Sequence, residues 1–375
     1  MKAFSTLQIA FILLCSLFYT SLMAQKELDS ILEGARFQIY ENPKEVIRIG
    51  DSIFGEAIQP ETKSLALMFI STAYLSMREN EKSLQYSLKA QNYFDEIEDV
   101  KSKIQILNSL GMQHQQLRIY DQAIEYLNQA LELAKNIPND TLSKLLGYNY
   151  AVRGFIYREQ MSCETAIGYF DKAISEFKKN NSQKTNSANL STLSYNKGNC
   201  FLQLSQIDSA RTNFETAIKY AQSVKANSLY AFGKKGLSEV FTLQGKYSEA
   251  IKELKQAESI SEKVGDQILN QGIYKNLSDN YLALNDREQY KIYFQKFSET
   301  QKTISKKEQK TINNSIQILI DEINSKTEEQ ISNLQMIQLV LAVLIIFLII
   351  ILGNVILKNK NKYKSAKKIL EDLGD

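Results

Sequence analysis

The feature that most constrains this chain is a self-similar block of about 40 residues, written several times over. One copy carries Leu107, Leu110-Gly111, His114, Tyr120, Ala123, Leu127, Ala130 and Pro138. Gly154, Tyr157, Ala166, Phe170 and Ala173 repeat the pattern, as do Gly198, Phe201, Ala210, Phe214 and Ala217. A further copy has Leu237, Phe241, Gly245, Tyr247, Ala250, Leu254 and Ala257, with Ser238 at the first Gly position. Leu277, Tyr281, Phe294 and Phe297 form a degenerate copy in which Tyr290 stands where a small Ala is expected. Upstream, Ile70, Tyr74, Ser83 and Ala90 fit the pattern loosely, and Gly34, Phe37, Val46 and Ile53 more loosely still. The copies start near residues 27, 64, 104, 147, 191, 231 and 271, at intervals of 37, 40, 43, 44, 40 and 40.

Only 3 prolines interrupt the 375 residues. Pro60 and Pro138 fall between copies, and Pro43 falls in the internal turn of the first. So few breakers predict an all-α chain. The Asn180-Asn181-Ser182 stretch and its Asn/Ser-rich sequel predict the longest loop. These positions resemble the tetratricopeptide repeat. In that family, two antiparallel helices approach closely because small residues occupy the Gly and Ala positions. The resemblance covers about 26–304 and implies a helical-hairpin solenoid of about seven repeats within 25–304. Its intervals exceed the common 34-residue period of the family, which implies longer helices or longer turns. Degenerate end copies suit a solenoid, whose terminal repeats present a more polar outer surface.

Two apolar segments bound the repeats. The first has a basic start at Lys2, an apolar stretch around 9–18, and Ser21-Leu22-Met23-Ala24 before Gln25. It reads as a secretory signal at 1–24, cleaved after Ala24. Cys15 follows Leu13-Leu14 rather than a small residue, which argues against lipidation. The second segment, 337–357, is broken only by Gln338, Gly353 and Asn354. At ~1.5 Å per residue it spans roughly 30 Å, a bilayer core. It lacks the polar stripe of a buried helix. Lys358, Lys360, Lys362, Lys364, Lys367 and Lys368 follow it, whereas Lys326 is the nearest basic residue before it. Lys/Arg excess marks the cytoplasmic side. The expectation is a single pass through a bacterial inner membrane, repeats in the periplasm and a basic tail, 358–375, inside. That tail is also suited to anionic headgroups. Between repeats and membrane, 305–336 reads as a helical stalk. Ile312, Ile316, Leu319, Ile323, Ile331 and Leu334 form an imperfect 3-4 seam. That seam leaves a homodimer through a parallel coiled coil and a lone stalk both open.

No catalytic, cofactor or metal motif emerges. The 45 Lys+Arg against 42 Asp+Glu imply no nucleic-acid patch. One histidine supports no nucleophile–base set, and His114 occupies a position that is aromatic elsewhere (Tyr157, Phe201, Phe241). Cys163 and Cys200 read as small buried residues, and pairing them would require proximity that spacing cannot show.

The expectation is therefore binding, not catalysis. The family implies a concave wall built from the first helix of each repeat. Its residues here are Asn108, Met112 and Gln115, then Phe155 and Arg158, then Tyr195 and Asn199, then Lys235 and Glu239. The mixture suits an extended peptide or a folded protein. Lys235 with Glu239, and Lys275 with Asp279, do not read as the carboxylate clamp of some family members. Signal, repeats, stalk and membrane helix resemble the input half of bacterial sensor kinases and membrane-bound helix-turn-helix regulators. The tail 358–375 is shorter than a kinase or DNA-binding domain. Three readings follow: a sensor read by a separate cytoplasmic regulator, a truncated relative, or a non-signalling envelope scaffold.

Overall fold

A computed structural model describes residues 30–32, 34, 38–39, 42–135, 137–138, 141–160, 162–179 and 186–372, with the backbone alone at 312, 329 and 362–372. The predicted signal segment with Cys15, the Asn180-Asn181-Ser182 loop, Phe37 and the lysine side chains beyond residue 361 lie outside it.

Every regular element described is helical. In chain order they are α1 (Pro43–Glu56), α2 (Pro60–Ser76), α3 (Asn80–Gln91), α4 (Val100–Gln116), α5 (Tyr120–Ala134), α6 (Ser143–Glu159) and α7 (Cys163–Lys178). Then come α8 (Ser187–Gln203), α9 (Ile207–Ser223), α10 (Asn227–Leu243), α11 (Tyr247–Val264), α12 (Gln267–Ala283) and α13 (Arg287–Asp372). Pro43 and Pro60 open α1 and α2, where the missing N–H costs nothing because that donor has no partner within the helix. α2/α3, α4/α5, α6/α7, α8/α9 and α10/α11 pair as hairpins, and α2, α4 and α6 also touch in succession, as do α8, α10 and α12. The result is a tetratricopeptide-like helical solenoid with a long C-terminal helix. The even-numbered helices are its inner layer.

Five of the hairpin turns end their first helix in the same way. The residue two past the helix end adopts a left-handed conformation: Arg78, Arg118, Ser205, Gly245 and Asn285 have φ of 61°, 61°, 59°, 72° and 59°. The next N–H then donates back to the ring-bearing position of the repeat. These bonds are Glu79 to Tyr74 at 2.9 Å, Ile119 to His114 at 2.9 Å, Gln206 to Phe201 at 2.8 Å, Lys246 to Phe241 at 2.9 Å and Asp286 to Tyr281 at 2.9 Å. A left-handed cap satisfies carbonyls that the helix leaves unpaired. Four of the five positions are not glycine and carry that strain at each turn.

Within the hairpins, glycines receive large side chains. A methyl group added at Gly154 would lie 2.4 Å from Phe170 Cε1, and one at Gly198 2.5 Å from Phe214 Cε1. Phe214 also fills the next hairpin's socket, since a methyl group on Gly236 would lie 2.4 Å from its Cδ1. Phe170 and Phe214 are fully buried with the Ala residues a turn to either side. In the α2/α3 hairpin, hydroxyls replace this contact. Ser71 Oγ donates to the Ser83 carbonyl at 2.8 Å, Ser83 Oγ donates to the Ser71 carbonyl at 2.7 Å, and the Ser71 and Ser87 hydroxyls lie 2.7 Å apart.

The last hairpin departs furthest. Its second helix is the start of α13, where Tyr290, Phe294 and Phe297 stand in the Ala/large/Ala places. It is held through Tyr293, stacked on Tyr281 at 5.6 Å, and through Glu258 of α11. The Glu258 carboxylate accepts from Lys255 at 2.9 Å, Tyr293 at 3.1 Å and Lys296 at 3.2 Å. Exposed Arg287, Glu288, Lys291, Gln295 and Glu299 share this hairpin's surface with two apolar side chains. Ile292 and Phe294 are about half exposed (46% and 47%), with Phe294 beside Tyr290 at 5.6 Å.

The hairpins and α13 up to Ser315 form one compact unit. Its far ends meet. Asn314 donates to Glu81 at 2.9 Å, Arg78 reaches Asp266 at 4.0 Å, and Ser315 is fully buried. Residues from Ile316 on form a second unit, all helical as far as it is described. It holds the apolar segment 337–357, long and apolar enough to cross a membrane, whose residues are exposed apart from the half-buried Gly353.

Phe214→Ala empties a socket shared by two hairpins. We expect a loss of about 3–5 kcal/mol in unfolding free energy, measured by denaturant titration followed by circular dichroism.

Candidate functional site

The inner helices are tied to one another by polar rungs. The first joins α4 to α6. Asn108 donates to the Leu145 carbonyl at 2.9 Å and accepts from Asn149 at 2.8 Å. Asn149 also donates to the Leu127 carbonyl at 2.9 Å, and Arg153 Nε donates to Asn149 at 2.9 Å. Arg153 Nη2 reaches Asn128 of α5 at 2.7 Å. Buried amides require such partners, because an unpaired one costs about 1–3 kcal/mol.

A second rung joins α6 to α8: Arg158 donates to Asn196, which donates to the Thr192 carbonyl at 2.7 Å. The Arg158 guanidinium also covers the Phe155 ring at 6.0 Å and pairs with Glu159. A third joins α10 to α12. Glu239 accepts from Lys235 at 2.6 Å and from Asn276 at 2.9 Å, and Thr242 donates to Asn280 at 2.9 Å.

Between the second and third rungs lies an aromatic stretch. Phe155 packs on Phe170 at 5.5 Å, and Tyr195 packs on Phe214 at 5.7 Å and Phe232 at 5.4 Å. Lys235 lays its stem against the backbone at Gly272, where a methyl group would meet its Cε at 2.7 Å. Burial works to lower the Lys235 pKa, but the Tyr195 hydroxyl and the Glu239 carboxylate outweigh it and hold the ammonium above its ordinary value. This cation therefore stays charged inside the wall.

The nine residues predicted for the wall fall into two groups. Asn108 and Gln115 are buried, at 5% and 6% exposure, and Asn108 is spent on the first rung. Gln115 accepts from Gln116 at 2.8 Å. Met112, Phe155, Arg158, Tyr195, Asn199, Lys235 and Glu239 are half-buried, each presenting part of its side chain. Arg158, Lys235 and Glu239 are brought into rungs; Met112 packs instead against the buried cluster of Ala123, Leu127, Val152 and Ile156. Sequence reasoning missed Asn149, Arg153, Asn196, Asn276 and Asn280. Asn196 and Asn276 occupy the same place in their repeats, and that recurrence was the available signal.

His114 closes the α4/α5 turn. Its Nδ1 lies 2.8 Å from the Leu110 carbonyl, and its ring packs on Tyr126 at 5.1 Å. Burial pushes its pKa below the ordinary 6.5, although the Leu110 bond pulls the other way. Among the described residues, no three His, Cys, Asp or Glu side chains form a metal-binding group.

Residues 104–137 and 192–223 each match the family model for the tetratricopeptide repeat. No curated protein matches the sequence. Among solved structures, the Rap conjugation gene regulator of plasmid pLS20, in complex with the Phr* peptide, is similar at 18% identity and a TM-score of 0.55, over 76% of this chain and 75% of that one. NprR in complex with its cognate peptide NprX is similar at 14% and 0.52, over 80% and 88%. A signal transduction ATPase with numerous domains from Pyrococcus horikoshii, which has a tetratricopeptide repeat sensor, is similar at 15% and 0.56, over 73% of this chain and 40% of that one. At these identities the likeness is one of fold.

The neutral state of His114 sets a pH dependence. The unfolded histidine gains a proton below about 6.5, while the buried ring resists it. Stability is thus fully present above 6.5 and falls as the pH drops from there toward the folded pKa. His114→Phe should flatten the melting temperature between pH 7.5 and 5.5, measured by thermal scans of both proteins. On its paired helices, its recurring sockets and its two matched repeats, the chain is a tetratricopeptide-type repeat solenoid.

Proposed function

We propose that this chain is a membrane-anchored interaction and sensing module, whose inner helix layer binds a protein or an extended peptide outside the cytoplasm. The observation that carries this reading is the half-buried stretch from Phe155 to Glu239. Aromatic faces, a guanidinium, an ammonium paired with Glu239 and amides there share one wall. The Asn199 side chain lies half-buried among them without a hydrogen-bond partner among the described residues. Amides spaced along successive helices suit the alternating donors and acceptors of an extended backbone. Two similar solved structures are complexes with peptides, which supports the same use of the layer here.

The anchor is the segment 337–357. In water, so long an exposed apolar surface would be an aggregation liability; in a bilayer it is a stable span. The lysines after it favour a cytoplasmic tail. A cytoplasmic regulator reading that tail would make the chain the receptor of a split sensor.

Tyr195 is the central aromatic of the wall. Tyr195→Ala should weaken capture of the bound protein or peptide by about 30-fold or more, the scale of an interface hot spot, in titrations with the partner recovered by crosslinking from membranes. Unchanged affinity would move the binding surface elsewhere. The same crosslinking on a chain ending at Leu357 separates two outcomes: a cytoplasmic regulator lost with the tail identifies a sensor, and an unchanged set of envelope partners identifies a scaffold.

A further inference from the structure

In the sequence Cys163 and Cys200 read as small buried residues, and their spacing leaves open whether they meet. The fold brings them together. Cys163 is the first residue of α7, at the turn of the α6/α7 hairpin, and Cys200 lies in α8, in the next hairpin. Both belong to one buried cluster with Ala166, Phe170 and Leu193, at 3% and 0% exposure. The Cys163 thiol donates to Gln203 Oε1 at 2.8 Å, one turn beyond Cys200 on α8. The Cys163 sulfur is also close enough to the Cys200 thiol to act on it electrostatically. Both cysteines are free thiols in the structure.

We propose that Cys163 and Cys200 are a disulfide-forming pair that staples the α6/α7 hairpin to the α8/α9 hairpin. The oxidant is a disulfide donor, met by thiol–disulfide exchange. Cys163, at the turn and the less buried, loses its proton and attacks one donor sulfur; one donor thiol leaves, and a mixed disulfide remains. Cys200 then loses its proton and attacks the Cys163 sulfur, expelling the second donor thiol. Two cysteine thiols are oxidised and one donor disulfide is reduced to two thiols, so electrons and protons balance. Burial pushes the Cys200 thiol up, and the neighbouring Cys163 sulfur adds to the effect. Cys200 is therefore the slower, resolving partner, and the bond closes fastest as the chain folds or opens locally.

The staple sits beside the second rung. Arg158 and Glu164 both act on the Cys200 thiol, and Arg158 is the residue that bonds Asn196. Closing the bond fixes the spacing between Phe155 and Arg158 on one side and Tyr195 and Asn199 on the other. Oxidising compartments keep such bonds and the cytosol reduces them, so native oxidation rests on the extracytoplasmic placement proposed above.

The test uses the full chain in detergent, refolded in oxidised glutathione, then alkylated and mapped by non-reducing peptide mass spectrometry. The expected result is a Cys163–Cys200 linked peptide, absent from Cys163→Ala and Cys200→Ala. A melting temperature about 5 °C or more above that of the reduced protein should accompany it. Circular dichroism of both variants confirms that the helices remain. If both thiols stay alkylatable after oxidative refolding, the pair is not a disulfide site and the proposal falls. A parallel sample, alkylated in intact cells before extraction, reads the compartment. A linked peptide there supports both readings. Reduced thiols in cells, with a bond that closes in glutathione, uphold the pair and overturn the extracytoplasmic placement instead.

Discussion

The close approach of two helices at a glycine is the contact on which the whole array depends. Gly154 receives Phe170, and Gly198 receives Phe214, with no room for a methyl group. Phe214 does more, because Gly236 of the following hairpin closes on its other side. One ring thus holds a hairpin together and also joins it to the next. Dense packing makes such a joint stiff, since no void is left to absorb a shift. Placement of the inner helices, and so of every side chain on the wall, follows from these sockets.

Where the socket is missing, the chain uses other chemistry at the same place. Ser71, Ser83 and Ser87 close the α2/α3 hairpin with hydroxyl bonds. Glu258, between Lys255, Lys296 and Tyr293, holds the last hairpin. There burial works to raise the Glu258 carboxyl and the two lysines outweigh it, leaving it below its ordinary value. Both substitutes need several partners in one geometry, whereas a ring in a glycine socket needs only shape.

This difference explains what was legible in the sequence. Gly154, Ala166, Phe170 and Ala173 recur at fixed spacing because shape admits few alternatives. The repeat, the all-helical class and the aromatic role of the His114 position could therefore be read directly. The wall was legible as a set of positions but not as a set of bonds. Asn149 and Arg153 form the first rung with Asn108, yet nothing local distinguishes an amide that bridges helices from one that faces water. The cysteines show the same limit. Cys163 and Cys200 meet because one closes a turn and the other faces it from the next hairpin, a relation that exists only between hairpins. The exposed Phe294 was unreadable for the opposite reason: an aromatic at a socket position predicts burial, and here no following hairpin covers it.

The meeting of Asn314 with Glu81, and of Arg78 with Asp266, gives the array a property that no single hairpin has. Small rotations at successive joints add along an arc, and here the arc returns to its own beginning. The closing contacts are polar and partly exposed, each worth about 0–1 kcal/mol. The joints along the arc are stiff, while its seam is weak. A guest that slightly changes the pitch between hairpins would therefore leave each joint nearly unaltered and show its effect at the seam, where the accumulated error appears as a gap. The seam acts as a vernier for the curvature of the whole row.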